Sequence, residues 1–245
     1  MKTPHIITCD SFQKAWIEAI CFLKNNHWEF SNLVVHIIDT KILDKEIHHK
    51  VTQFSKDIKI IPPKDVAYTI FPYNQYKGKG TTPKLYSNYI NKLYPWTRRR
   101  SHSGWGTYFY RMINYERNGN IINQLDNIIS AINNRSTISK AAYTMTIQYP
   151  GSESIRKLGS PCLNYLAIQL EPGSPSKIGL LSIYRNHEFL ERAYGNYWGL
   201  CKLICFLAEE TGLIPGSLTC ISSHAYVKTK KIVLSELLKD LNSDN

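Results

Sequence analysis

The sequence lacks several features that define specialised classes of protein. Among its 245 residues there is no apolar run near the ~18 residues that a membrane-spanning helix requires. Asp10 and Lys14 stand where a secretory signal would have an unbroken apolar core, so we expect a protein that is not exported. No internal repeat and no long low-complexity tract is visible. These absences predict a globular protein that does not enter a membrane.

Cysteine is scarce, and no two cysteines form a C-x-x-C pair. The absence of that pairing favours reduced thiols in a cytoplasmic protein, and we expect no metal site. The six cysteines are Cys9, Cys21, Cys162, Cys201, Cys205 and Cys220.

Acidic residues are also few relative to basic ones. The chain has 19 aspartates and glutamates against 30 lysines and arginines, which gives a formal net charge of +11. Such a balance favours anionic partners, namely nucleotides, nucleic acid or acidic lipid. A basic surface also serves solubility, so charge alone leaves the partner open.

Helix-like and strand-like patterns alternate along the chain. This interleaving predicts one mixed α/β domain over residues 1–245, with a twisted mixed sheet flanked by helices. Prolines and glycines punctuate residues 62–105, which predicts irregular structure with one helix at 83–94. The predicted helices are 11–24, 121–133, 197–212 and 231–241, and the predicted strands are 31–39, 141–149, 163–171, 177–185 and 217–227.

A cysteine and an arginine lie at corresponding ends of two consecutive predicted strands. Cys162 follows the turn residues Gly159, Ser160 and Pro161, and Arg185 ends the next strand. If a hairpin joins these strands, Arg185 lies near Cys162, where it can depress the thiol pKa or bind an anionic substrate. A lone cysteine is more often structural, so the interpretation of Cys162 as a reactive thiol depends on its pairing with Arg185.

Three further polar residues follow in the last third of the chain. Asn196 stands at the start of an apolar segment, where it is either a helix N-cap or an amide that reads a donor–acceptor edge. His224 and Tyr226 are two residues apart on a predicted strand and therefore share a face. They are either polar tips of an amphipathic strand or a pair that binds a sugar hydroxyl or phosphate.

Taken together, these motifs resemble the thymidylate synthase family. G-S-P-C-L at Cys162 resembles its nucleophile turn, and Y-R-N-H-E at Arg185 resembles its substrate-arginine segment. The segments T-G-L-I-P-G, at 211–216, and S-S-H-A-Y, at 222–226, resemble two further motifs. The spacing from Arg185 to Asn196 is also kept. The resemblance is strongest over residues 159–227 and holds only in broad order before residue 100.

The resemblance implies a transferase that adds a one-carbon unit to carbon 5 of a uridine-type nucleotide. It implies a pyrimidine nucleotide monophosphate as substrate, 5,10-methylenetetrahydrofolate as one-carbon donor and a homodimer that shares its phosphate sites. The implied catalytic residues are Cys162, Arg185 and Glu188. The implied substrate-binding residues are Arg185, Asn196, His224, Tyr226 and Arg135.

The sequence departs from the family pattern mainly where the folate would bind. The family's glycine-rich stretch is replaced by residues 190–194, and its catalytic glutamate has no counterpart near residues 67–75. Of the family's two adjacent phosphate arginines only Arg135 is present, and Lys140 or Arg98–Arg100 are candidates to substitute. Only 19 residues follow Tyr226, which leaves methyl and hydroxymethyl products both open.

Two alternatives remain at this point. A regulatory protein that binds a nucleotide without folate chemistry fits the missing glutamate, although Cys162 argues against it. A nucleic-acid-binding protein fits the net charge, the Arg98–Arg100 triplet and the tyrosine- and lysine-rich stretch at 73–96. The triplet itself is either a solvated loop or a phosphate clamp.

Overall fold

A mixed β-sheet forms the centre of the computed structural model, which describes residues 3–101, 104–134, 143–155 and 159–243. Within these residues seven strands hydrogen-bond in one sheet of order β1-β2-β9-β7-β6-β5, with β8 paired to β9. The mixed α/β fold is therefore confirmed. The strands of this sheet are β1 (His5–Cys9), β2 (Glu29–Ile37), β5 (Tyr143–Thr146), β6 (Leu163–Glu171), β7 (Lys177–Tyr184), β8 (His187–Glu188) and β9 (Ile214–Tyr226).

The strand directions follow from the connections between them. β6 and β7 are an antiparallel hairpin, as the sequence predicts, and the backbone N–H of Arg185 donates to the carbonyl oxygen of Cys162 at 2.9 Å. β7 and β9 are parallel because the long helix α8 (Tyr194–Thr211) lies between them in the chain. β9 is antiparallel to β2, and β2 is parallel to β1.

Helices α1 (Phe12–Asn25) and α8 pack on one face of the sheet and bury its alternate residues. Leu33, Leu218 and Tyr184, on three neighbouring strands, are fully buried beneath them. The other helices are α2 (Lys45–Asp57), α3 (Pro63–Ile70), α4 (Thr82–Asn88), α5 (Tyr94–Ser101), α6 (Tyr108–Ile113), α7 (Gln124–Asn133) and α9 (Lys231–Ser243). Among the described residues we find no helix with the length and apolarity that a membrane span requires.

Two glycines let α3 cross the first turns of α8 at close range. A Cβ atom at Gly195 would lie 2.7 Å from the Pro63 carbonyl oxygen, and one at Gly199 would lie 2.8 Å from that of Ala67. Any larger residue would push the helices apart. The crossing fixes α3 beside the N-terminal end of α8.

Two expectations about local structure are wrong. The predicted helix over 121–133 begins only at Gln124, because Asn120–Ile122 forms strand β4, which pairs with β3 (Tyr115–Arg117). Ile121 is consequently 58% exposed instead of buried. Residues 62–105 are largely helical instead of irregular, since α3, α4, a π-helical turn at Tyr89–Leu93 and α5 lie there.

Candidate functional site

A cavity of about 600 Å³ opens beside the N-terminal end of α8. Its size is ordinary for a small-molecule site. Four of the seven residues that the sequence singled out line it, namely Cys162, Glu188, Asn196 and Tyr226. The remaining lining residues are Val66, Thr69, Gly104, Trp105, Gly106, Thr107, Tyr108, Gly159, Ser160, Asn186, His187, Glu191, Arg192, Lys228 and Thr229.

The turn before β6 holds Cys162 at the cavity wall. Gly159 has a φ of +75°, a left-handed conformation that favours glycine, and it starts the turn. The guanidinium of Arg185 braces the turn, because Nε donates to the Pro161 carbonyl oxygen at 3.1 Å and Nη2 donates to Ser160 Oγ at 2.7 Å. Arg185 therefore lies directly behind the turn that holds Cys162, although it is not itself part of the cavity lining.

The electrostatics of Cys162 differ from the expectation that an arginine lowers its pKa. Burial raises the pKa of the Cys162 thiol above its ordinary value, while the nearby Arg185 and Arg192 lower it by less. The predicted cation is thus present, but desolvation outweighs its effect on the pKa of Cys162. Burial also raises the pKa of the Cys9 thiol, but there the carboxylates of Glu18 and Asp10 raise it further, against a smaller opposing effect of Lys14.

Asn196 lies inside α8 and does not cap it. The N-terminal cap of this helical segment is Glu188, whose carboxylate accepts the backbone N–H of Glu191 at the start of a π-helical turn, Phe189–Ala193. Asn196 is only 3% exposed, and its Nδ2 lies 3.0 Å from Nε2 of His187. Of the two interpretations of Asn196, the structure supports the amide that faces a pocket.

Glu188 combines its capping role with a place in the cavity wall. Its carboxylate also accepts the backbone N–H of Lys228 at 3.3 Å. Burial raises the pKa of Glu188 above its ordinary value, and these backbone donors oppose that shift. Within the described lining, Glu188 and Glu191 are the carboxylates available to exchange a proton with a ligand.

His224 and Tyr226 share a face of β9, as their spacing predicts. Their rings stack with centroids 5.0 Å apart and an interplanar angle of 9°. His224 Nδ1 lies 2.8 Å from Asn186 Oδ1, and Asn186 Nδ2 lies 3.5 Å from the Tyr226 hydroxyl. Tyr226 and Asn186 line the cavity, whereas His224 supports them from outside it.

Two cations at this site were not singled out from the sequence. Arg192 and Lys228 both line the cavity and are exposed, so they are accessible to an anionic ligand. Arg192 belongs to residues 190–194, which replace the family's glycine-rich stretch. The sequence reveals this departure but assigns no role to Arg192. Arg135 and Lys140 lie outside the described residues. Arg98 and Arg99 are exposed on α5, away from the cavity lining, so the triplet lies on a helix and not in a loop.

Comparison with known proteins yields relatives but no family model, since none matches the chain. Three curated relatives carry the name "putative thymidylate synthase". They come from Methanosarcina barkeri (28% identical over 121 residues), Methanosarcina mazei (29% over 121) and Methanococcoides burtonii (25% over 124). Each alignment covers 49% of this chain, and the chain spans about half (52%) of the length of each relative. These matches support a distant thymidylate synthase-like relationship.

Proposed function

We propose that the chain is a transferase that modifies carbon 5 of a uridine-type nucleotide through a thiolate adduct at Cys162. The observation that carries this proposal is the convergence of Cys162, Asn196 and Tyr226 on one cavity from three separate elements. A nucleophile, a base-reading amide and a hydroxyl are the groups that such a reaction requires. The names of the distant relatives agree with this chemistry.

Charge complementarity supports a nucleotide monophosphate as the ligand. Arg192 and Lys228 are accessible at the cavity, and Arg185 lies behind the turn that holds Cys162. A phosphate dianion matches guanidinium forks and ammonium groups. We assign the phosphate to this cationic side and the base to Asn196.

The chain's own groups account for the activation of the base. Addition of the Cys162 thiolate to carbon 6 would form a carbon–sulfur bond and move the ring electrons toward the carbonyl at carbon 4, so that carbon 5 becomes nucleophilic. Glu188 and Glu191 are the candidates to accept the proton that carbon 5 loses. The thiolate leaves carbon 6 when the ring double bond forms again.

Aromatic residues of the cavity support a flat one-carbon donor as the second substrate. Trp105 and Tyr108 line one wall with ring centroids 4.9 Å apart, and Val66 and Thr69 of α3 complete it. Aromatic rings of this kind suit a planar heterocycle. When bound, 5,10-methylenetetrahydrofolate would supply the electrophilic one-carbon unit, with a hydride where the product carries methyl.

Release of tritium from deoxyuridine monophosphate labelled at carbon 5 tests the proposed function. We expect label to appear in water when the protein and methylenetetrahydrofolate are both present, because carbon 5 must lose its hydrogen. Binding of the nucleotide without any release would instead favour the regulatory interpretation. Failure to bind the nucleotide at all, with tight salt-sensitive binding of single-stranded DNA, would favour the nucleic-acid interpretation.

Alkylation of cysteine gives a second test that does not require turnover. We expect iodoacetamide to label Cys162 faster than Cys9, because burial raises the pKa of both thiols, but two guanidinium groups oppose that shift at Cys162 while two carboxylates add to it at Cys9. Bound deoxyuridine monophosphate should slow labelling of Cys162 at least about tenfold and leave Cys9 unchanged. Peptide mapping by mass spectrometry measures both rates. Equal rates with and without nucleotide would contradict a role for Cys162 in the pocket.

The homodimer expected from the family finds support in the second face of the sheet. Val34, Ile221, Ile183 and Tyr165 are in register across β2, β9, β7 and β6, and all four are only partly buried. They point away from the face that α1 and α8 cover, since their neighbours along each strand are buried there. An apolar row of this kind is suited to a second copy of the same chain. We propose that two chains associate through this face.

Sedimentation velocity at micromolar concentration tests the dimer. We expect the wild-type protein to sediment at twice its chain mass of 28.3 kDa and the Ile221→Lys variant to sediment as a monomer, because a desolvated lysine opposes association. The matched control is Ile232→Lys on α9, where the isoleucine is already 78% exposed. A wild-type monomer would contradict the assignment.

A further inference from the structure

A chain of hydrogen bonds leads from the cavity wall into the core. The Nδ2 atom of Asn196 lies 3.0 Å from Nε2 of His187, and Nδ1 of the same imidazole lies 2.9 Å from Oγ of Ser222. All three residues are buried, with His187 only 1% exposed. The chain therefore joins α8, β8 and β9 out of contact with bulk water.

The direction of each bond in this chain follows from the chemistry of the groups. An amide nitrogen can only donate, so Nε2 of His187 must accept from Asn196. Burial lowers the pKa of His187 to about 3, so the ring is neutral at neutral pH and holds a single proton. That proton must be on Nδ1, where it is donated to Ser222 Oγ.

Aromatic neighbours hold the imidazole in this orientation. The ring stacks on Tyr184 with centroids 4.0 Å apart and an interplanar angle of 3°, and Tyr197 meets it edge-on at 5.7 Å and 89°. A ring packed in this way cannot turn to offer its other nitrogen. If the amide of Asn196 turned over, its oxygen would face the lone pair of Nε2, which is repulsive, so the amide can turn only if the ring proton also moves to Nε2 and the Ser222 hydroxyl donates to Nδ1 instead.

The fixed amide matters because uracil and cytosine present opposite edges. Uracil has a ring N–H beside a carbonyl oxygen, whereas cytosine has a ring nitrogen acceptor beside an amino group. An asparagine amide pairs with either edge, but it must turn over to change from one to the other. A locked amide is therefore complementary to a single base.

We propose that His187 is a positioning residue that selects a uracil-type base by holding the amide of Asn196 in one orientation. This inference rests on the proposed function, in which Asn196 contacts the base. It assigns base selection to a residue that need not touch the substrate's reacting atoms, and it gives Ser222 the supporting role of fixing the ring proton.

Calorimetric titration with deoxyuridine and deoxycytidine monophosphates tests the inference. We expect the wild-type protein to prefer the uracil nucleotide by about 10- to 100-fold, the usual effect of a mismatched buried polar group. In His187→Gln the ratio should fall to within about threefold, because a glutamine amide can donate or accept and no longer fixes Asn196. Ser222→Ala, which removes the acceptor for Nδ1–H, should lower the ratio in the same direction.

The ratio separates positioning from a purely structural role. Loss of packing alone would weaken both nucleotides equally and leave the ratio unchanged, which would overturn the inference. Ser182→Ala is the matched control, since Ser182 is also buried on the same face and its Oγ bonds to the Thr219 carbonyl oxygen at 3.5 Å and to the thiol of Cys220. If His187→Gln does not fold, the ratio in Ser222→Ala decides. A wild-type protein that binds neither nucleotide would refute the proposed function itself.

Discussion

Replacing Cys162 with serine should abolish tritium release from labelled deoxyuridine monophosphate while nucleotide binding persists. A serine hydroxyl is a far weaker acid than a thiol, so the two guanidinium groups that oppose the raised pKa of Cys162 cannot ionise it, and it does not add to carbon 6. We expect turnover to fall by at least about a thousandfold, as for the loss of other covalent nucleophiles. Affinity for the nucleotide, measured by calorimetry, should change by less than about threefold.

Two control variants give this result its meaning. Cys205→Ser changes a half-buried cysteine in the C-terminal half of α8, outside the cavity lining. It should leave tritium release unchanged. Arg185→Ala should weaken nucleotide binding more than Cys162→Ser does, because it removes a cation and also the bonds that brace Ser160 and Pro161. Residual release from Cys162→Ser near the wild-type rate would show that another group begins the reaction.

The part of the site that could be predicted from sequence is the part built by neighbouring residues. Cys162 and Arg185 come together because a hairpin joins their strands, and the prolines, glycine and serines at residues 172–176 are a composition typical of such a turn. His224 and Tyr226 share a face because strand geometry alternates. Each of these pairings depends on the two-residue alternation of a strand or on the composition of a turn, and both can be recognised in a sequence.

Two predictions of local structure, the helix start at residue 121 and the irregular structure over residues 62–105, were wrong because one sequence signal was given more weight than a competing one. The apolar residues Ile121 and Ile122 extend a helical period, but Asn118–Gly119 just before them forms the turn of the β3–β4 hairpin with φ angles of 51° and 77°. An Asn-Gly pair is a strong hairpin signal, and here it prevails over the period. Likewise Pro63 and Pro83 stand in the first turns of α3 and α4, where proline starts a helix and does not break it.

The rest of the cavity could not be predicted because distant segments supply it. Val66, Trp105 and Lys228 reach the cavity from α3, from the segment before α6 and from the segment after β9, respectively. Their placement depends on how α3 crosses α8, which no short stretch of sequence encodes. The π-helical turn at Phe189–Ala193 is similarly invisible in the sequence, and because it leads into α8 at Tyr194, Asn196 lies inside the helix instead of at its N-cap.

Loss of Arg111 should destabilise the fold more than any surface change. Its guanidinium pairs with the carboxylate of Glu153 at 2.8 Å, and both side chains are less than a tenth exposed. The same guanidinium lies 3.7 Å from the centre of the Tyr149 ring, and Nε donates to the carbonyl oxygen of Trp105 at 3.0 Å. Arg111 thus connects the segment after β5 to the aromatic wall of the cavity.

We expect Arg111→Ala to lower the free energy of unfolding by about 3–5 kcal/mol, because it leaves the carboxylate of Glu153 buried without its cation. Urea unfolding monitored by circular dichroism measures the loss, and Arg117→Ala on the exposed strand β3 should change stability by less than about 0.5 kcal/mol. The double variant Arg111→Met with Glu153→Leu should recover much of the loss, since no charge then remains buried. A single-variant loss below about 1 kcal/mol would mean that water reaches Glu153 and that the pair does not hold the cavity wall in place.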